Sequence, residues 1–232
     1  MVPGNVFMPL GHARLLSGSG RKTMDLAAGP WRALYAWKGA VRVSGENGRP
    51  GFEVPCGTGA ALDRAAVKIS TDSTASVCLV WEVTPQKAPP GASPEGFREL
   101  LRYDMPRLPG DHPDTLGEAV LRFERVDLKP GVETPRHTHI GSGLRVLIKG
   151  TLVADIDGRI QTLNAGDAWL EKGPGEAVTG RAAAGLETAF VRLLVLPADA
   201  AGQDSFVFLE GGAADRPRPA AYERYHEERV LL

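Results

Sequence analysis

Cysteine is nearly absent from this chain: Cys56 and Cys78 are the only two in 232 residues. They fall in no metal or redox spacing. They read as two buried small hydrophobes, with a bridge between them as the alternative. Neither sign of charge is in excess. The net charge of −1 gives no electrostatic case for nucleic acid or for an anionic membrane. No apolar run approaches the length of a membrane-spanning helix. The start, MVPGNVFMPLGHARLL, lacks the basic region and long apolar run of a signal peptide. A cytoplasmic protein is the expectation. The chain has no Gly-x-Ser-x-Gly element, no phosphate loop, no dinucleotide fingerprint and no Ser-His-Asp order. Histidine is scarce as well, with five residues.

What the chain does have is glycine, 28 residues, and proline, 18, within a composition that is 43% hydrophobic. That balance suits many short strands joined by turns around a real core. The length allows one large domain or two of ordinary size.

A repeat argues for two. VLIKGTLVADIDGRIQTLNAGDAWLEKGPGEAV ends in the strand run RLLVLP. LYAWKGAVRVSGENGRPGFEVPCGTGAALDRAAVKI ends in CLVWEVTP. Gly39 answers to Gly150, Gly57 to Gly166 and Pro85 to Pro197, at offsets that agree within a few residues. Three matches in order, each between strand-like runs, indicate a duplicated β unit. QKAPPGASPEG between the copies reads as a linker. The expected division is therefore residues 1–92 and 93–232. After the linker, Ser93-Pro94-Glu95 reads as the start of a short helix through FRELLRY, with Ser as N-cap and Pro at the first position. AVLRFERVDL alternates apolar and charged residues like a strand. The last run, YERYHEERVLL, is open between strand and helix, and its aromatics suggest that it docks.

The most specific stretch is Gly131 to Gly150, GVETPRHTHIGSGLRVLIKG. His137 and His139 stand two apart ahead of an apolar strand, so their imidazoles aim at one spot. Neutral imidazole is the commonest metal ligand among side chains. Subtracting the repeat offset from these two positions lands on Leu26 and Ala28. The first copy has lost both rings, and any chemistry belongs to the second.

These residues resemble the first motif of the cupin superfamily: Gly131, His137, His139 and Gly150 at that family's spacing. A glutamate ligand usually follows the second histidine by four positions, and here that position is Gly143. Gly166 and Asp167, the strand through Glu171, and the turn Gly173-Pro174-Gly175 resemble the family's second motif. Its ligand histidine is missing, with Ala177 or Val178 in its place. The resemblance implies an all-β protein of two tandem cupin-like (jelly-roll) β-barrels, a bicupin whose N-terminal barrel is degenerate.

It also implies a pocket in the C-terminal barrel. Two histidines supply half a metal site, and a carboxylate is the usual third donor. By analogy of position Glu171 is the first choice, with Glu133 and Glu176 as the others. The expected ion is one divalent transition metal, Fe, Mn, Ni or Zn. Without a third donor the pair would be a metal-free relic. Arg145 shares the inward face of position 143. It either grips a ligand carboxylate or phosphate or forms an internal ion pair with Glu171. Trp169 and Trp31 are expected as pocket walls or as simple core, Trp37 and Trp81 as filling of the first barrel, and His112 and His226 as solvated. The function implied is metal-assisted chemistry on a small anionic organic ligand, of oxygenase, isomerase or decarboxylase type. The alternatives are a non-catalytic ligand-binding or sensor protein without metal, and a structural homodimerising module.

Overall fold

The computed structural model describes residues 10–45, 50–62, 64–85, 91–106, 117–210 and 220–232. Strands dominate. The first half runs β1 (Gly11–Ser19), β2 (Lys22–Leu26), β3 (Trp31–Lys38), β4 (Val41–Gly45), β5 (Phe52–Val54), β6 (Gly59–Leu62), β7 (Val67–Thr71), β8 (Val77–Pro85) and β9 (Phe97–Met105). The second runs β10 (Glu118–Leu128), β11 (His137–His139), β12 (Ser142–Lys149), β13 (Thr151–Ile156), β14 (Arg159–Asn164), β15 (Ala168–Glu171), β16 (Val178–Ala182), β17 (Thr188–Pro197), β18 (Phe206–Phe208) and β19 (Ala220–Leu231).

Each half is a jelly-roll of two facing antiparallel sheets. The first has strand orders β6-β3-β8-β1-β9 and β2-β7-β4-β5. The second has β15-β12-β17-β10-β19 and β18-β11-β16-β13-β14. Strand by strand the orders are the same, apart from β18, which the second half adds beside β11. The details repeat too. The β3–β8 and β12–β17 ladders are both irregular just before the hairpin, at Ala36/Lys38 and Leu147/Lys149. Gly39 and Gly150 then turn the chain at φ 72° and 76°, where a Cβ would be strained. The Gly57 amide donates to Ala36 O, and the Gly166 amide donates to Leu147 O. β1–β9 and β10–β19 carry a bulge at the same place, between Leu15/Leu16 and Phe123/Glu124.

One of these elements differs from expectation, and one open reading is decided. Phe97–Met105 is a strand and not a helix. It follows the boundary expected after residue 92 and hydrogen-bonds along β1. The helix-start signals are local, and the open edge of β1 offers the same backbone groups a long ladder. The C-terminal run is a strand as well, paired with β10.

The sheets β6-β3-β8-β1-β9 and β15-β12-β17-β10-β19 pack back to back. Ala13, Leu15, Tyr35, Leu79 and Trp81 from the first half share one buried cluster with Leu121, Phe123, Leu144, Val146 and Leu193 from the second. Their strands are therefore apolar on both faces, which is why runs such as RLLVLP do not alternate. Trp37 and Trp81 consequently do not fill the first barrel as expected. They point across the interface, where Trp81 Nε1 donates to Leu144 O at 3.0 Å and Trp37 Nε1 to Ile148 O at 2.9 Å. Trp31 joins them by donating to Glu228 Oε2, and His226 lies beside its ring, partly exposed. The first barrel's own interior holds Leu16, Leu26, Leu34, Val43, Ile69 and Val80. Cys78 lies in that core, whereas Cys56 is exposed, and both are free thiols. Among the described residues no helix is long and apolar enough to cross a membrane. His112 lies outside the described residues.

Candidate metal and ligand site

The short strand β11 is held between β16 and β18, with His137 opposite Val178 and Phe208, and His139 opposite Phe206. Alternation turns both rings into the barrel. Their centroids are 5.0 Å apart and their planes nearly perpendicular. His137 Nδ1 lies 2.8 Å from Pro135 O, and His139 Nδ1 lies 3.1 Å from Ser205 O. A carbonyl only accepts, so both contacts call for the proton on Nδ1 and leave Nε2 as the lone-pair nitrogen facing the interior. Outer partners of this kind fix the tautomer and aim of metal-binding histidines.

Glu171 ends β15, whose ladder with β12 sets Gly143 opposite Glu171 and Arg145 opposite Trp169. Trp169 Nε1 donates to Glu171 Oε1 at 2.9 Å. Glu171 Oε2 lies 2.9 Å from His139 Nε2 and 2.6 Å from Arg145 Nη2, yet no donor is aligned with it for a hydrogen bond. One donor atom each from His137, His139 and Glu171 falls within 4.8 Å of the others. Glu171, His139 and Arg145 are buried.

Burial sets the charge states. It drives His139 down to about 4 and outweighs the opposing pull of Glu171. His137 is also lowered, chiefly by burial. Burial alone would raise Glu171, but the Arg145 charge, with His139 and Trp169, holds it below the usual carboxylate range. Arg145 falls to about 10 through burial and keeps its charge at neutral pH. A neutral His139 has one N–H and two acceptors, Ser205 O and Glu171 Oε2. One of the two contacts therefore sets lone pair against lone pair unless the ring takes a second proton or a cation lies there. That requirement, and the donor set itself, fit a divalent ion held by two imidazoles and one carboxylate.

The cavity above this floor has a volume of about 60 Å³ and apolar walls, among them Leu152, Trp169, Phe190, Phe206 and Phe208. Arg192 also reaches it. Its Nε donates to Glu124 Oε1 at 2.8 Å, a second bond runs from Nη2 to the same oxygen, and both residues are buried.

A family model for the cupin domain matches residues 124–173, the span that holds Glu124, both histidines, Arg145, Trp169 and Glu171. In fold the chain is similar to AerE from Microcystis aeruginosa, at 10% identity and a TM-score of 0.56, over 82% of this chain and 99% of that one. By this match residues 124–173 carry a cupin domain. It is also similar to salicylate 1,2-dioxygenase from Pseudaminobacter salicylatoxidans, at 12% identity and a TM-score of 0.51, over 83% of this chain and 73% of that one. A variant of that enzyme in complex with gentisate is similar at 12% identity and a TM-score of 0.51, over 83% and 71%. A search of curated proteins finds no match by sequence.

Within this chain the two barrels act as each other's control. Backbone register aligns Leu26 with His137, since each pairs with the equivalent valine, Val67 or Val178. By the same registers Leu16 answers to Glu124, Leu34 to Arg145, Leu62 to Glu171 and Val80 to Arg192. All five partners in the first barrel sit in its hydrophobic core. The first barrel buries charge one step along instead, with Arg14 and Arg32 both on Glu82.

Of the residues singled out from sequence, His137, His139, Glu171, Arg145 and Trp169 all line one cavity. Glu176 is buried elsewhere, accepting from the Lys172 amide, and Glu133 makes only an isolated bridge to Arg181. Glu124 and Arg192 were missed. In LRFERVDL a glutamate between apolar residues reads as the solvent face of a strand, and only alignment of the two copies at Leu16 and Val80 could have flagged it.

Proposed function

We propose that the second barrel binds a small organic acid at a divalent metal centre formed by His137 Nε2, His139 Nε2 and the Glu171 carboxylate. The observation that carries this reading is the convergence of one donor atom each from His137, His139 and Glu171 within 4.8 Å of one another, with both Nδ1 atoms already turned to backbone carbonyls. A bound ion of this type supplies Lewis acidity and open coordination positions. The chain's own residues do the rest. Pro135 O and Ser205 O hold the imidazoles in their ligand tautomers. Trp169 orients Glu171. The aromatic walls exclude water and take an apolar body. Arg192 presents a guanidinium group to a carboxylate, while Arg145 pairs with Glu171. The fold-similar dioxygenase that is seen with gentisate is an example of this architecture holding a small aromatic acid.

Arg145 favours a second reading, a metal-free binding barrel. Its Nη2, 2.6 Å from Glu171 Oε2, already neutralises the carboxylate that the ion would use. Elemental analysis of protein purified without a histidine tag, alongside His137→Ala, separates the two. Near-stoichiometric metal in the wild type, lost in the variant, supports the metal centre. Wild type that stays metal-free after incubation with Fe(II), Mn(II), Ni(II) or Zn(II) overturns it and leaves the metal-free barrel.

A further inference from the structure

A second cavity adjoins the first and shares Arg192, Phe206 and Tyr222 with it. Its character is different. Three guanidinium groups, Arg122, Arg192 and Arg224, face it together with the carboxylates of Glu124 and Asp204. Two of the forks are held in place. Arg192 is set by Glu124, and Arg122 by Glu227 and by Nη2 donating to Ala200 O at 3.1 Å. Arg224 stands at the rim, its side chain 43% exposed, 3.7 Å from Glu124 Oε2 and 3.1 Å from Glu227 Oε2.

The first barrel shows how the same framework is filled with apolar side chains. The equivalents of Glu124 and Arg192 are Leu16 and Val80, both in the core, and the equivalent of Tyr222 is Phe97, packed against it. The equivalent of Arg224 is Glu99, of opposite charge. Apolar filling is thus available at this level, and a buried ion pair is generally no more stabilising than such filling. The second barrel has a charged hollow in place of that packing, beside the candidate metal and ligand pocket.

We infer that this hollow is an anion subsite for the carboxylate of an elongated ligand. The ligand's apolar body lies against Phe206 and Trp169 beside the two histidines, and Arg192 serves both compartments. The inference rests on the small-molecule reading of the neighbouring pocket. Arg224, half-exposed and least constrained, closes on the carboxylate from the rim.

The test is calorimetric titration of the full chain with 3-phenylpropanoate and with its neutral counterpart 3-phenylpropan-1-ol. The wild type should prefer the acid by about tenfold or more, as a charge-assisted pair implies. Arg224→Gln should remove most of that preference and leave the alcohol unchanged, and Arg224→Lys should restore part of it. Equal binding of acid and alcohol overturns the anion subsite and leaves the pocket reading standing. A preference that survives Arg224→Gln but is lost in Arg145→Gln overturns it too, placing the carboxylate at the pocket floor. Binding of neither probe overturns both.

Discussion

Arg145 lays its guanidinium back across Gly143. Its Nη1 donates to Gly143 O at 2.7 Å, and a Cβ placed on Gly143 would lie 2.6 Å from that same nitrogen. The usual cupin glutamate would begin at this point. Here a cation occupies the space, and the carboxylate that faces it, Glu171, comes from the neighbouring strand. Glycine at 143 and arginine at 145 are one structural choice, because the arginine needs the room that the missing side chain leaves.

That coupling is measurable. Gly143→Glu alone should destabilise the protein by roughly 1–3 kcal/mol through overpacking. Adding Arg145→Leu, the residue found at the equivalent Leu34, should recover part of the loss. Urea unfolding of the two single variants and the double variant gives the interaction energy. Simple additivity would mean that the two positions are independent.

Arg145 also competes with a metal for Glu171. Arg145→Met should therefore raise Mn(II) affinity by about tenfold or more, since a neighbouring positive charge is removed at low dielectric. Without metal the same variant should melt below the wild type, because Glu171 is left buried and unpaired. Calorimetry and paired melting curves check both effects. Unchanged affinity would show that the guanidinium does not oppose the ion.

Glu171→Ala should lower metal occupancy as far as His137→Ala does, because both take one of three donors. It should further cost roughly 3–5 kcal/mol in the metal-free protein, the usual penalty for leaving a buried charge, here Arg145, without its partner. Full occupancy in Glu171→Ala would remove it from the ligand set.

Cys78 makes folding sensitive to alkali. Burial pushes its thiol up to about 11 in the folded chain, whereas an unfolded thiol titrates near ~8.5. Above that lower value the unfolded chain sheds a proton that the folded chain keeps, so stability falls as pH rises through this window. The slope should reach at most about 1.4 kcal/mol per pH unit, and Cys78→Ala should flatten it. Denaturant midpoints measured across the window decide the matter, and identical slopes for the two proteins would contradict it.

Much of this molecule is written in local pattern. The glycines at 39, 57, 150 and 166 mark turns that backbone sterics reserve for them, so the duplication could be counted off the chain. A two-residue period alone turns His137 and His139 to one side. Subtracting one copy from the other showed that Leu26 and Ala28 had replaced them. The rest depended on what each strand packs against. Phe97–Met105 carries the opening signals of a helix, but the free edge of β1 makes it a strand. Trp37 and Trp81 lie in strands apolar on both faces, where periodicity names no inside, and the back-to-back sheets turned them to the interface. Glu124 reads as a surface charge until β10 lies between β17 and β19 with Arg192 beside it. Arg145 reads as a ligand-binding residue or an ion-pair partner until Gly143 is found beneath its guanidinium. Backbone conformation is a short-range property and can be read from neighbours in sequence. Whether a charge is buried, and what it pairs with, is set by strands some seventy residues apart in the chain, as with Glu124 and Arg192, and only the folded sheets bring those together.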